Sequence, residues 1–197
     1  KKLVLQWMPE RTHSYGEDKS LLKILEDNGF ESILLRAGAS QPDPWVNAAS
    51  YATEFKKIKF MIAVNPAMMT PVYCAIKTAT FQKMFGNRVS LNIVSGANAT
   101  EQSMYMDNLP IEHRYKRSYE FAELVKQLVE TGKVENYCGE FYKIDYAEIQ
   151  PGSKLDILFA GSSDETIELA NNLGSTHYHS METPNSYLDF RNKINVT

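Results

Sequence analysis

Val89-Ser90-Leu91-Asn92-Ile93-Val94-Ser95-Gly96 is the stretch on which the reading of this chain turns. It is apolar enough for a buried strand, yet it ends in a serine and a glycine, so it carries polar groups to its carboxyl end. Asn92 alternates with Leu91 and Ile93 and therefore points to the opposite face of the strand from them. A buried amide needs partners, and neighbouring backbone or a ligand with carbonyl and N–H groups would supply them equally well. Two further polar-ended segments follow, His113-Arg114-Tyr115 and Phe159-Ala160-Gly161-Ser162-Ser163. Together the three suggest a pocket for a phosphorylated cofactor at the carboxyl ends of parallel strands.

Outward from Val89 the pattern repeats. Leu3–Met8, Ser32–Arg36, Lys59–Asn65, Asp156–Ala160 and Ser175–His179 have strand length. Leu21, Leu22 and Leu25 mark a helix that Gly29 would close in a left-handed cap, Trp45–Phe55 a second, and Pro71–Met84 a third with proline in its first turn. After a long polar loop, Phe121, Leu124, Val125, Leu128 and Val129 place one apolar stripe on a helix. Tyr137–Ile144 reads as a surface hairpin, and Asp164–Leu173 as a helix ended by Gly174. Strands alternating with helices, and too apolar to alternate themselves, predict an α/β fold with a parallel sheet covered by helices. An open doubly wound sheet would carry a glycine-rich phosphate loop after its first strand, and Met8–Gly16 has none. The pattern therefore favours a (β/α)8 TIM barrel in a single domain over 1–197. About six βα units are present against the ~250 residues of a typical barrel, so two further strands are expected beyond Thr197, with Ile194–Thr197 entering the seventh.

The 197 residues, 43% hydrophobic and 23% charged, are enough to bury a core. A net charge of −3 leaves no basic field for nucleic acid or an anionic membrane. No apolar run approaches the ~18 residues of a membrane helix, and no basic-then-apolar leader opens the chain, so a cytoplasmic location is expected. Cys74 lies among Val72, Ile76 and Ala79 at helical spacing and reads as core, while Cys138 falls beside Gly139 in the hairpin turn. His13, His113, His177 and His179 are scattered, so no metal is expected.

Gly161-Ser162-Ser163 closes a strand and opens a helix, where backbone N–H groups and the helix dipole favour a phosphate. Ser162-x-x-Glu165 is equally a capping box that needs no ligand. Tyr115, flanked by Arg114, Lys116 and Arg117 just before the amphipathic helix, offers a phenolic donor beside positive charge, or belongs to a solvated basic helix start. His13, after the first strand, is an acid, base or hydrogen-bond donor at the barrel mouth, or a plain loop residue.

The ordered series Gln6-Trp7-Met8-Pro9, Asp43-x-Trp45, Ala63-Val64-Asn65-Pro66 with Thr70-Pro71, Gly86-Asn87-Arg88, Asn92-Ile93-Val94-Ser95-Gly96, His113-Arg114-Tyr115 and Gly161-Ser162-Ser163 resembles the bacterial luciferase-like flavin monooxygenases, nearest the alkanesulfonate branch. The resemblance implies a barrel that binds reduced FMN, with Tyr115, Ser162 and Ser163 at the phosphate, Gly161 in the same loop, and Asn92, Ser95 and Gly96 lining the flavin. Ala37, Gly38 and Asp43 would lie near the ring. It implies O2 as co-substrate, a peroxyflavin as oxygen donor, an NAD(P)H-dependent flavin reductase as partner, and a homodimer. In the alkanesulfonate branch a cysteine stands where Gln41 stands here, and the arginine and histidine of its seventh strand would fall beyond Thr197. Acyl or aminoacyl groups tethered to a carrier protein are therefore alternative substrates. A non-catalytic flavin-binding protein and a deazaflavin-dependent oxidoreductase are alternatives on the same barrel.

Overall fold

A computed structural model describes residues 6–7, 15–96, 98–160, 164–173 and 176–178. The strands are β1 (Gln6–Trp7), β2 (Ser32–Leu35), β3 (Lys59–Val64), β4 (Val89–Ile93), β5 (Lys133–Cys138), β6 (Lys143–Glu148), β7 (Asp156–Ala160) and β8 (Thr176–Tyr178). The helices are α1 (Tyr15–Asp27), α2 (Pro44–Glu54), α3 (Pro71–Phe85), α4 (Ala99–Met104), α5 (Ile111–Thr131) and α6 (Asp164–Asn172). Among the described residues six strands form one all-parallel sheet in the order β1-β2-β3-β4-β7-β8, and β5 with β6 forms a separate antiparallel hairpin.

Local chemistry sets the boundaries. Gly29, at φ +81°, ends the α1 segment, and Phe30 N–H donates back to the Leu25 carbonyl at 3.0 Å. Pro71 opens α3 behind a Thr70 cap, as its missing N–H predicts. The stripe on α5 is fully in the core, with Phe121, Val125, Leu128 and Val129 at 0% exposure. Each such side chain contributes about 1.5–3 kcal/mol when buried. Cys74 is completely buried, and desolvation pushes its thiol up to about 12, so it is a core residue as expected. No helix among the described residues is long and apolar enough to cross a membrane.

Three boundaries differ from the sequence reading. The polar loop after Val94 contains α4, started by Asn98, whose side chain accepts from Glu101 N–H at 3.1 Å. The long helix begins at Ile111, so Tyr115 lies within α5 and not ahead of it. The hairpin is longer than Tyr137–Ile144, because Lys133 and Val134 pair with Glu148 and Ala147 beyond the expected ends.

The two faces of the sheet have different company. Ile33, Leu35, Phe60, Ile62, Val64, Leu91, Ile93, Ile157 and Phe159 pack with the helices in the main core. The opposite face carries a smaller apolar cluster of Leu34, Met61, Ala63 and Leu158. Asn92 pairs in register with Ala63 on one side and Leu158 on the other, so its amide projects into that second face.

Candidate functional site

Parallel strands place all their carboxyl ends at one edge, and here the ends of β2, β3 and β4 gather under α4. Glu101 reaches the β2 side, where Oε1 accepts from Ala39 N–H at 3.0 Å and from the Tyr105 hydroxyl at 3.2 Å. Gln102, the next residue, reaches the β3 side, where Oε1 accepts from Asn65 Nδ2 at 3.3 Å. Both contacts need glycine beneath them. A Cβ on Gly38 would come within 2.8 Å of Glu101 Oε1, and one on Gly96 within 2.2 Å of Gln102 Nε2. Gly96 also holds φ +77°, a conformation L side chains rarely adopt.

From the other side α5 braces the end of β4. Ser95 Oγ lies 3.0 Å from Ser118 Oγ, both buried, and Arg114 Nη1 donates to the Gly96 carbonyl. The basic residues around Tyr115 thus have separate tasks. Arg114 is buried against Gly96, Lys116 lies on the surface 3.6 Å from Glu140, and Arg117 grips Asp107 through two bonds of 3.0 and 2.6 Å. Desolvation raises the Asp107 carboxyl, but Arg117's hydrogen bonds and charge, with the Leu109 N–H and Arg114, hold it below the usual carboxylate value. Burial, then the adjacent Glu101 carboxylate, pushes the Tyr105 phenol up.

Several buried polar atoms at this edge find no partner among the described residues: Asn92 Oδ1, Gln41 Nε2, Gln102 Nε2 and Arg114 Nε. Asn92 is only 2% exposed, so its carbonyl is an unsatisfied acceptor in an apolar wall. Leaving such a group unpaired costs about 1–3 kcal/mol, which makes this edge a candidate for binding a ligand.

Of the residues expected near the flavin, Ala37, Gly38, Asn92, Ser95 and Gly96 lie on or beside this edge, with Ala37 packed on the second apolar cluster. Tyr115 is half-buried in the second turn of α5. Asp43 is exposed, and Oδ1 accepts from Trp45 N–H at 2.8 Å and Val46 N–H at 3.0 Å, which commits it to capping α2. His113 is exposed and faces Glu140 at 3.5 Å. His13, Gly161, Ser162 and Ser163 lie outside the described residues. Asn65, Gln102 and Ser118 were not singled out by the sequence reading. The signal for α4 was present in the helix-capping pair Asn98 and Glu101, hidden in a run read as loop.

A family model described as luciferase-like monooxygenase matches residues 5–196. The chain belongs to this family. Among solved structures, this luciferase-like chain is similar to EDTA monooxygenase from Chelativorans sp. BNC1, at 17% identity and TM-score 0.82 over 98% of this chain and 58% of that one. It is similar to the coenzyme F420 dependent tetrahydromethanopterin reductase from Methanopyrus kandleri, at 18% identity and TM-score 0.85 over 98% and 60%. A third is the oxygenating constituent of 3,6-diketocamphane monooxygenase from Pseudomonas putida, solved with FMN, at 15% identity and TM-score 0.73 over 90% and 57%. The chain therefore spans less than two thirds of the length of each of these three. At these identities the likeness is one of fold, and the six described strands form part of a TIM barrel; enzymes of that fold carry their active sites at the carboxyl ends of the strands. The unpaired acceptor of Asn92 and the unpaired donors of Gln41, Gln102 and Arg114 fit a heterocycle edged with carbonyl and N–H groups.

Proposed function

We propose that this chain serves a two-component monooxygenase that receives reduced FMN from a separate NAD(P)H-dependent reductase and uses O2 to oxygenate a small organic substrate. An alkanesulfonate-type compound or an acyl group tethered to a carrier protein suits the family resemblance. The observation that carries the reading is Asn92, an unsatisfied buried amide on the apolar inner face of the sheet. When bound, reduced flavin supplies the electrons that let O2 give one oxygen atom to the substrate and the other to water.

The chain's own residues position and shield. Asn92 Oδ1 would accept from a ring N–H, and Gly96 leaves room for the Gln102 amide at the end of β4. Ser95, braced by Ser118, and Arg114, bonded to the Gly96 carbonyl, hold that backbone still. Tyr115, Ser162 and Ser163 take the phosphate, and His13 stands at the mouth as a proton donor. α4, pinned at Ala39 and Asn65, covers the strand ends and limits the entry of water. The same reading expects a homodimer in the cytoplasm.

The likeness to an F420-dependent reductase supports a second reading, hydride transfer with a deazaflavin on the same barrel. Anaerobic titration separates the two. The monooxygenase reading expects saturable binding of reduced FMN, tighter than oxidised FMN. Replacing Ser162 and Ser163 by Ala together with Tyr115 by Phe should then weaken FMN by ~1–3 kcal/mol in total and leave riboflavin, which lacks the phosphate, unchanged. Binding of the deazaflavin cofactor with none of reduced FMN would overturn the monooxygenase reading. Equal losses for FMN and riboflavin would remove the three residues from the phosphate.

A further inference from the structure

We infer that Gln102 is a ligand-binding residue of this site, one whose carboxamide is held so that Nε2 donates to a carbonyl oxygen on the edge of the bound ring. The inference rests on the flavin reading above, in either its FMN or its deazaflavin form, because both rings carry the same dioxopyrimidine edge with two carbonyls around an N–H.

The orientation of the amide follows from chemistry. Ala67 N–H can only donate, and it donates to Asn65 Oδ1 at 2.9 Å. Asn65 must then present its Nδ2 donor on the other side, where Gln102 lies at 3.3 Å. The atom of Gln102 that meets it has to be the acceptor Oε1, which turns Nε2 away from Asn65. The backbone of Gln102 is equally constrained, since its carbonyl accepts from Tyr105 N–H and Asp107 N–H, both at 3.0 Å. The result is a donor that is 2% exposed with its residue, set in the space a Gly96 side chain would fill, and without a partner among the described residues.

Oε1 is accounted for by Asn65, but Nε2 is a buried donor left unpaired, a penalty that the contact with Asn65 does not explain. The glycine beneath it is likewise constrained. Any side chain at Gly96 would displace the amide, so Gly96 and Gln102 form one unit in which the glycine leaves the space that the carboxamide occupies at the strand end.

The test compares Gln102→Glu and Gln102→Leu with the wild type, measuring affinity for reduced FMN, riboflavin and the deazaflavin cofactor together with the melting temperature of ligand-free protein. Gln102→Glu keeps the acceptor facing Asn65 and replaces the donor by a carboxylate oxygen. It is expected to weaken the bound flavin at least tenfold at pH 8, with FMN and riboflavin losing equally because the ring edge and not the phosphate is affected. As pH falls and the introduced carboxyl gains a proton, it becomes a donor again and affinity recovers towards wild type, whose own pH profile lacks that recovery. Gln102→Leu also takes away the acceptor of Asn65 Nδ2, so it is expected to bind at least tenfold more weakly at every pH with a lowered ligand-free melting temperature, whereas Gln102→Glu keeps that acceptor and its melting temperature. A wild-type protein that binds flavin beside variants that bind it equally well would overturn the inference. Affinity lost in Gln102→Glu only in step with a lowered melting temperature would also overturn it, and would make Gln102 purely structural. A wild type that binds none of the three ligands would overturn the flavin reading itself, and the inference with it.

Discussion

The two ends of the parallel sheet treat their polar groups in opposite ways. At the amino ends the Ser32 hydroxyl is buried without a partner, but the long polar side chains there are tied into a network. Arg88, just before β4, donates to four backbone carbonyls, those of Ala52, Phe55, Ile58 and Phe85, at 2.6 to 3.2 Å. Gln82 accepts from Ser153 N–H at 2.7 Å and donates to Asn87 at 3.0 Å, while Asn87 in turn donates to the Lys154 carbonyl at 3.2 Å. That network ties α2, α3 and the lead into β7 together beneath the sheet. At the carboxyl ends Asn92, Gln41, Gln102 and Arg114 each keep an atom unpaired among the described residues. The amino-end network serves stability, and the carboxyl end is where the proposed ligand would find open partners, a division that barrel enzymes make between their two rims.

The sharpest way to break this contrast is at Arg88. Replacing it by Ala strands several backbone acceptors and should lower unfolding stability by ~2–4 kcal/mol in a urea or guanidinium titration. Whatever flavin affinity the folded fraction has should stay within a factor of about two. A stable variant would show that the amino-end network is dispensable.

Asn92→Leu sharpens the comparison from the other end. The swap fits an apolar wall and removes an unsatisfied acceptor, so ligand-free stability should be unchanged or rise by up to ~1 kcal/mol. Flavin affinity should fall about tenfold, which is ~1.4 kcal/mol. Loss of stability without loss of affinity would move Asn92 from the ligand-binding edge to the structural one.

The smallest effect concerns Asp107 and Arg117, which sit between the two regimes. The folded carboxyl titrates below its unfolded value of about 3.9, so the pair's stabilisation is fully present above that pH. It is lost as pH falls through the depressed folded value. Unfolding stability followed from pH 6 downwards should decline more steeply in wild type than in Asp107→Asn. Parallel curves would remove the pair from the acid response.

Much of this was legible in the chain alone. Hydrophobic period separated strands from helices, Pro71 and Gly29 marked their helix ends correctly, and the alternation around Asn92 gave the face it occupies. These features follow from local sterics and from a repeat of two or 3.6 residues, both of which are properties of neighbouring residues. Reading the run after Val94 as loop failed for an equally local reason. A six-residue helix has too few turns to display a period, and its apolar content is low.

What the linear order could not reveal were the partnerships across distance. Asp43 reads like a site residue and is committed to a helix cap two and three residues on. Arg88 reads like a loop cation and holds carbonyls some thirty residues upstream. Gln102 reads like loop filler and meets Asn65 across a separation of 37 residues. The alternation of strands and helices, the apolar faces and the family that the ordered motifs announce are all legible in the chain, because each depends on short-range spacing. Which polar groups are satisfied and which are left open emerges only on folding, because that depends on how three strand ends and two helices converge, and a hydrogen bond exists only when both partners arrive within about 3 Å.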